Sequence, residues 1–425
     1  MALLLGALVF ASSCSPVSPR MLTKQLRAAE KKFQDHTGFI LYDLGKNKNI
    51  VTFNDARYFT PASNTKIFTF YTGLKLLGDS VPALRYRISG DSLIFAGTGD
   101  PSFLYKNVFD NGRTYTFLKE ARPHLYFSPS NFYAPRFGPG WSWDDYNSAY
   151  SSERSGLPIY GNFATIKQEG GGLTVMPPVF ADSIRQQMQG KRQDLVRHES
   201  RNIFDLVSGP KHLNDEWNIP LKLNANLIAG LLADTLQRLV QIVPLQDSLP
   251  NILYSVPADS IYKVMMQESD NFIAEQILLM CAGMLADSLD TNIAINYAKE
   301  NLLADLPDEP VWVDGSGLSR YNLFTPRSIV ALWKKVYQAV PRERLFQLLA
   351  IGGIAGTIKS SYKADKPYIF GKTGTLSNNH CLSGFLVTKS GKTLIFSFMN
   401  NNYTAPTREI RANMESLLWS IYQHY

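Results

Sequence analysis

The sequence is poor in the residues that hold metals and cross-link chains. It has three cysteines, Cys14, Cys281 and Cys381, and six histidines isolated from one another. No Cys-x-x-Cys occurs, and no His/Cys spacing resembles a zinc site, so neither a metal nor another cofactor is expected. Cys281 and Cys381 either pair or remain as core thiols, and both options stay open. Dense runs of one charge are also missing. The net charge of +7 comes from scattered residues such as Lys31-Lys32, Lys191-Arg192 and Lys334-Lys335. That argues against a nucleic-acid stripe. A mildly basic surface would suit an anionic polymer or a membrane face, and otherwise reads as solvated surface. No internal repeat and no low-complexity tract are present.

What is present points to a large folded protein. At 425 residues the chain exceeds one ordinary core, and two or three domains are expected. Apolar residues make up 45%, with 24 Phe and 21 Tyr, enough to fill sizeable cores. The chain opens on MALLLGALVFASSC. The apolar run of about ten residues is too short to span a bilayer and has the size of a signal-peptide core. Its end, Ala11-Ser12-Ser13-Cys14, resembles the lipobox of bacterial lipoproteins, which implies lipidation at Cys14 and a cell-envelope location. No Lys or Arg precedes the run, a departure from that pattern, and the competing reading is a short buried helix. Residues 1–20 are taken as signal peptide and lipoprotein tether.

The periodicities assign the rest coarsely. Residues 21–35 suit a helix, and 38–44 with 49–54 a hairpin. IFTFYTGLKLLGD, from 67, reads as a helix with one apolar face, closed by Gly78-Asp79. From 81 to 254 the chain becomes rich in Pro, Gly, Ser and aromatics. It holds a hairpin at Gly90-Asp91, a polar stretch over 181–212, a helix over 221–240 and a return linker over 244–257. From 258 helices dominate, followed by strands at 368–376, 381–389 and 393–401 and a last helix. The expected fold is α+β: an antiparallel sheet flanked by helices, built from 21–80 and 255–425 and split by an inserted β-rich region, 81–254.

Ser-x-x-Lys occurs four times, at Ser63, Ser208, Ser260 and Ser360. Ser63 alone opens a long apolar helix and is followed in order by Ser269-Asp270-Asn271 and Lys372-Thr373-Gly374. The three motifs together form a known set for serine acyl-transfer sites. Each alone is equally well a helix cap, a solvated lysine, a turn or a strand end. Residues three apart share a helix face, so Ser63 and Lys66 can touch. A serine hydroxyl needs a base. Lys66 can supply it only when neutral, a state favoured by burial and by a second cation, Lys372. Ser269 is placed to pass a proton to a leaving amine, and Asn271 to bind both Lys66 and a substrate amide. The strand Lys372-Thr373-Gly374-Thr375 can pair with a peptide-like substrate, Gly374 allowing close approach. Lys372 and the Thr hydroxyls suit a terminal carboxylate.

These motifs, with DGSGLSRYN (314–322), AGTGDPSF (96–103) and GWSWDDYNSAY (140–150), resemble the class C low-molecular-mass penicillin-binding proteins. Those are D-alanyl-D-alanine carboxypeptidase/endopeptidases. The resemblance runs from about residue 36 to the C-terminus. It implies a β-lactamase/transpeptidase-like fold and an acyl-enzyme on Ser63 formed from peptidoglycan stem peptides. It also implies covalent inhibition by β-lactams and an oxyanion site at the backbone N–H groups of Ser63 and Thr375. Asp145 and Tyr150 match positions that contact the diamino-acid side chain of the stem, and Arg320 its carboxylate. Gly315 and Gly317 shape a turn. Two departures stand out. The inserted stretch is lean for a family that often carries two inserted domains, and Ser377 replaces a longer amide side chain. The alternatives are a β-lactamase, which needs a deacylating Glu such as Glu300 or Glu309, and an inactive wall-binding lipoprotein, which would not need the intact motifs.

Overall fold

A computed structural model describes residues 18–169, 172–190, 193–209 and 216–425. Most of the expected leader and tether, including Cys14, lies outside them. Local signals set the first boundary. Ser18 accepts a hydrogen bond from the Met21 N–H at 3.2 Å and Pro19 follows it, so α1 (Pro19–Phe33) starts two residues earlier than expected. Its Leu22, Leu26, Ala29 and Phe33 are buried along one face. The hairpin β1 (His36–Asp43) and β2 (Lys48–Phe53) follows. A tight 3-10 turn at Ala62–Thr65 then leads into α2 (Lys66–Leu76). Every residue of α2 from Lys66 to Gly73 is buried, so it is a central helix and not a one-faced surface helix.

In the next segment β3 (Ser80–Ser89) and β4 (Ser92–Gly97) form the expected hairpin. After α3 (Arg113–Glu120) and β5 (His124–Phe127), loops and 3-10 turns lead to six short strands. These are β6 (Phe163–Glu169), β7 (Gly172–Met176), β8 (Ile184–Gln189), β9 (Asp194–Arg197), β10 (Phe204–Ser208) and β11 (Glu216–Pro220). They make two three-stranded sheets, ordered β11-β6-β7 and β8-β10-β9. The polar stretch 181–212 is therefore stranded. The helix expected over 221–240 is shorter, α4 (Ala225–Leu236). The Asn224 side chain caps it by accepting from the Leu227 N–H at 2.8 Å, and left-handed Gln237 ends it before β12 (Val240–Ile242). The second half of the expected linker is also a strand, β13 (Asn251–Pro257), antiparallel to β3. The segment thus leaves and re-enters side by side, closing a five-stranded sheet β12-β5-β4-β3-β13.

The remaining elements are α5 (Ala258–Gln267), α6 (Asn271–Ala286), α7 (Thr291–Asn301), α8 (Pro326–Ala339) and α9 (Arg342–Leu348). After them come β14 (Ala350–Ile351), β15 (Ile369–Leu376), β16 (Asn379–Val387), β17 (Thr393–Asn401) and α10 (Thr407–His424). N- and C-terminal strands form one antiparallel sheet, ordered β14-β15-β16-β17-β1-β2. β1 and β17 pair in continuous register, with Ile40 opposite Ser397. Alternation in β1 serves two cores. Phe39 and Leu41 pack with α1 and α10, and Ile40 and Tyr42 with α2, α5, α6 and α8. The class is α+β, an antiparallel sheet flanked by helices. Cys281 and Cys381 are buried free thiols. No helix among the described residues is long and apolar enough to cross a membrane.

Leu26 has no exposed surface and lies between α1 and the sheet. Leu26→Ala should lower stability by about 2–5 kcal/mol, read from the urea midpoint, without changing the residues around Ser63.

Candidate active site

Ser63 sits in the 3-10 turn directly ahead of α2, and Lys66 is the first residue of that helix. The Lys66 Nζ lies 3.0 Å from Ser63 Oγ, 2.6 Å from Asn271 Oδ1 and 2.6 Å from the Ser316 carbonyl oxygen. The last two atoms can only accept. A neutral amine has two N–H bonds and one lone pair, so with both N–H groups committed the lone pair is left for the Ser63 hydroxyl. In that neutral form Lys66 is arranged to accept from the Ser63 hydroxyl.

Two other elements complete the cluster. Asp270 caps α6, its Oδ1 accepting from the Ile273 N–H at 2.9 Å, which places Asn271 at the start of the helix. Ser269 just before it adopts φ +64°, a left-handed conformation that costs a non-glycine residue energy and recurs at working sites. That turn presents Ser269 Oγ to Lys372 Nζ at 2.7 Å, and Lys372 also donates to its neighbour's carbonyl, Thr373 O, at 2.8 Å. The Asn271 amide donates to the Tyr150 carbonyl at 3.0 Å, so both ends of that side chain are occupied. Residues 63, 66, 269, 271 and 372 are thus brought together.

Burial is the main cause of the lysine chemistry. Lys66 and Lys372 have no exposed surface. Desolvation pushes the Lys66 ammonium down to about 8, against the pull of Asp314, Asp270 and Glu275. Lys372 is driven well below the usual lysine range by burial and then by the charge on Lys66. Lys372 is enclosed behind Ser269, which removes it from the expected role of meeting a carboxylate directly.

Several supporting residues had no role assigned from the motifs, Asp314 among them although it opens the DGSGLSRYN block. Asp314 folds the loop Gly315–Asn322 around itself, accepting from the N–H groups of Gly317 (2.8 Å) and Ser319 (2.8 Å), from Asn322 Nδ2 (2.7 Å) and from Trp141 Nε1 (2.9 Å). This loop aims the Ser316 carbonyl at Lys66. Gly317 has φ +82°, and a Cβ there would lie 2.0 Å from the Ala62 carbonyl oxygen, so the turn needs glycine. Glu275, one helical turn after Asn271, accepts from the Ser316 N–H at 2.7 Å and pairs with Arg154 at 2.5 Å, both side chains buried. Its i, i+4 spacing from Asn271 was the one available signal. Asn64 ties the nucleophile's turn to β15, donating to the Lys372 carbonyl at 3.2 Å and accepting from Ser383, itself held by Trp333 Nε1 at 2.9 Å. A Cβ on Gly374 would meet Pro61 O at 2.5 Å and Ser63 N at 2.9 Å. The close approach that requires this glycine is therefore to the Ser63 turn.

Ser63 opens onto a cleft with two lobes. The larger, about 720 Å³, is lined by Asp145, Tyr150, Arg320, Ser377 and Asn271 as well as by Ser63, Ser269 and Thr375. In it the Tyr150 hydroxyl donates to Asp145 at 2.6 Å, and Arg320 donates to the Ser377 carbonyl at 3.1 Å. The smaller, about 310 Å³, is lined by Thr373, Thr357, His380 and Arg411 together with the same Ser63, Ser269 and Thr375. Thr373 shares a hydrogen bond of 2.7 Å with Thr357. Thr375 lies 2.8 Å from His380 Nδ1 and accepts from Arg411 at 3.4 Å. Burial and then Arg411 hold His380 down to about 3, so its ring is neutral. Glu300 and Glu309 border a separate surface hollow, and neither lobe is lined by a glutamate. No cluster of His, Cys, Asp or Glu among the described residues could hold a metal ion.

A family profile, D-Ala-D-Ala carboxypeptidase 3 (S13), matches residues 22–208 and 244–420. The chain is 22% identical to the D-alanyl-D-alanine carboxypeptidase DacB of Haemophilus influenzae, covering 90% of this chain and 89% of that protein. It is 23% identical to the penicillin-sensitive carboxypeptidase A of Dictyostelium discoideum, over 86% and 82% of the two chains. The fold matches the crystal structure of penicillin binding protein 4 (dacB) from Haemophilus influenzae with a TM-score of 0.72, over 95% of this chain and 97% of that one, at 22% identity.

Because Lys66 must be neutral to take the Ser63 proton, acylation by a β-lactam should rise roughly tenfold per pH unit below an inflection and level off above it. The inflection should fall near the value of about 8 set by burial of Lys66, as a property of the coupled Lys66/Lys372 pair. Stopped-flow acylation rates from pH 6 to 10 measure this, and a rate independent of pH would contradict the assignment of the base.

Proposed function

Because the chain belongs to the D-Ala-D-Ala carboxypeptidase (S13) family, we propose an assignment of its chemistry to individual residues. The protein is a serine-type D-Ala-D-Ala carboxypeptidase and a low-molecular-mass class C penicillin-binding protein. Ser63 Oγ attacks the carbonyl of the penultimate D-alanine of a peptidoglycan stem peptide while its proton passes to Lys66 Nζ. The backbone N–H groups of Ser63 and Thr375 hold the oxyanion. The C–N bond then breaks. The proton that Lys66 took is relayed through the Ser269 hydroxyl, which Lys372 orients, to the departing amine, and Lys66 is neutral again. Water then attacks the acyl-enzyme carbonyl, its proton passing to Lys66, which returns it to Ser63 Oγ as the ester C–O bond breaks. The observation that carries this account is the Lys66 amine, held by two oxygens that only accept, with Ser63 as its third neighbour.

The two lobes divide the substrate. The smaller receives the leaving residue, its carboxylate meeting the hydroxyls of Thr373 and Thr375 and the Arg411 guanidinium. The larger receives the acyl side, where Asp145 with Tyr150 meets the amine of the diamino acid and Arg320 its carboxylate. The same site cuts cross-links as an endopeptidase. In this reading 21–80 and 255–425 form the catalytic unit, 81–254 is the inserted region that supplies Asp145 and Tyr150, and β-lactams acylate Ser63. Among the described residues neither lobe is lined by a glutamate, and Glu300 and Glu309 border a different hollow, which supports the peptidase reading over a β-lactamase. In the same reading residues 1–20 serve as a leader that directs the enzyme to the cell envelope, with a lipid on Cys14 as tether.

Ser63→Ala should abolish covalent labelling by a fluorescent penicillin. Purified muropeptides treated with the enzyme should lose one alanine, and cross-linked dimers should fall to monomers, both read by mass. Asp145→Ala or Arg320→Ala should lower kcat/KM on stem peptides roughly ten- to a hundredfold, the worth of one charged hydrogen bond, and leave penicillin labelling unchanged. Rapid turnover of a chromogenic cephalosporin would instead support the β-lactamase reading.

A further inference from the structure

The outer face of α1 carries an arrangement that the fold does not use. Arg20, Lys24, Arg27 and Lys31 are all exposed. They stand at i, i+4, i+7 and i+11, which at 3.6 residues per turn confines them to about 60° of arc over roughly 16 Å of helix. The buried stripe Leu22, Leu26, Ala29 and Phe33 lies on the opposite side. The basic side chains therefore point straight out from the body. The helix's one acid, Glu30, is turned away from them and accepts from the Thr37 N–H at 3.3 Å and Asn54 Nδ2 at 3.1 Å. None of the four basic residues makes an ion pair among the described residues.

Lys31, in the last turn, suits the helix dipole, but the rest of the stripe opposes helix formation. Like charges spaced three and four apart repel. Arg20 sits in the first turn, where the helix dipole disfavours a cation, and no acid there offsets it. A local cost without a structural return points to an external partner. Its position says which one. Cys14 precedes the helix cap Ser18 by four residues, at most about 14 Å of chain. On the reading that Cys14 carries the lipid anchor, α1 is the folded element tethered nearest the bilayer.

We propose that α1 is a membrane-docking helix whose Arg20–Lys24–Arg27–Lys31 stripe lies against an anionic phospholipid surface. This inference rests on the envelope assignment above. Each basic side chain beside an anionic bilayer raises partitioning about fivefold. Four acting together give roughly several hundredfold, a second signal that complements a lipid chain and orients the enzyme.

The test uses the unlipidated chain of residues 15–425, so that no lipid contributes. It is sedimented with vesicles of phosphatidylcholine alone or with phosphatidylglycerol added. Binding should appear only with phosphatidylglycerol, weaken steeply between 50 and 300 mM salt, and fall at least a hundredfold in the variant Arg20→Glu/Lys24→Glu/Arg27→Glu/Lys31→Glu. A control with the same charge change elsewhere, Arg113→Glu/Arg122→Glu/Arg185→Glu/Arg201→Glu, should retain most of the binding. Penicillin labelling shows that each variant is folded. Absence of binding to anionic vesicles, equal loss in the control, or binding to a soluble polyanion such as heparin but not to vesicles would each overturn the proposal. Mass analysis of the N-terminal peptide from native cells tests the lipid separately. A bare Cys14 with intact vesicle binding would remove the anchor and leave the docking surface standing.

Discussion

The structure depends on an amine kept out of water. Lys66 is fully enclosed, yet its Nζ meets three oxygens supplied by three distant stretches of chain: the Ser63 turn, the first residue of α6 and the loop after Asp314. An isolated buried ammonium would be costly. These oxygens offset part of that cost, and the rest appears as a lowered proton affinity, which is what a base requires. The three carboxylates Asp314, Asp270 and Glu275 limit how far it falls. The site is a balance of desolvation against fixed negative charge, and each neighbour of Lys66 has its own support.

Those supports explain the architecture around the cleft. Asp314 satisfies four donors and so fixes the loop that offers the Ser316 carbonyl. Glu275 reaches the same loop and is neutralised by Arg154, which comes from the segment between α2 and α5. The Asn271 amide rests on the Tyr150 carbonyl, from that same segment. The segment between α2 and α5 thus reaches the surroundings of Lys66 through Trp141, Tyr150 and Arg154 and also supplies part of the wall of the larger lobe. β13, running back beside β3, returns the chain close to where it left, so α2 and α5 pack as if contiguous.

Much of this was legible in the sequence because it rests on local rules. The order of Ser63, Ser269 and Lys372 and the apolar helix after Ser63 placed three motifs, and strand alternation placed both halves of the sheet. Boundaries moved where a cap overruled periodicity, as Asn224 did for α4. The linker ending at Pro257 proved to be a strand because its partner, β3, lies more than 160 residues earlier, and no local pattern records such a pairing. Asp314, Glu275, Arg154 and Arg411 went unassigned for a related reason. Each acts through a contact made only once the chain has folded, and neither a lone residue such as Arg411 nor the first residue of a short motif, Asp314, carries a sign of what it faces. The role expected of Lys372 was altered by burial, which motif spacing cannot express.

The pairing of β1 with β17 has a temporal consequence. Hydrogen bonds between residues 36–43 and 394–401 join the two ends of the polypeptide, and β15, which carries Lys372, is attached to the nucleophile's half through β16 and β17. A ribosome must therefore finish nearly the whole molecule before the sheet can close. Partial chains hold Ser63 and Lys66 but lack the strand that carries Lys372. The cleft that gathers Ser63, Lys66, Ser269 and Lys372 is therefore complete only when nearly the last residue has been added.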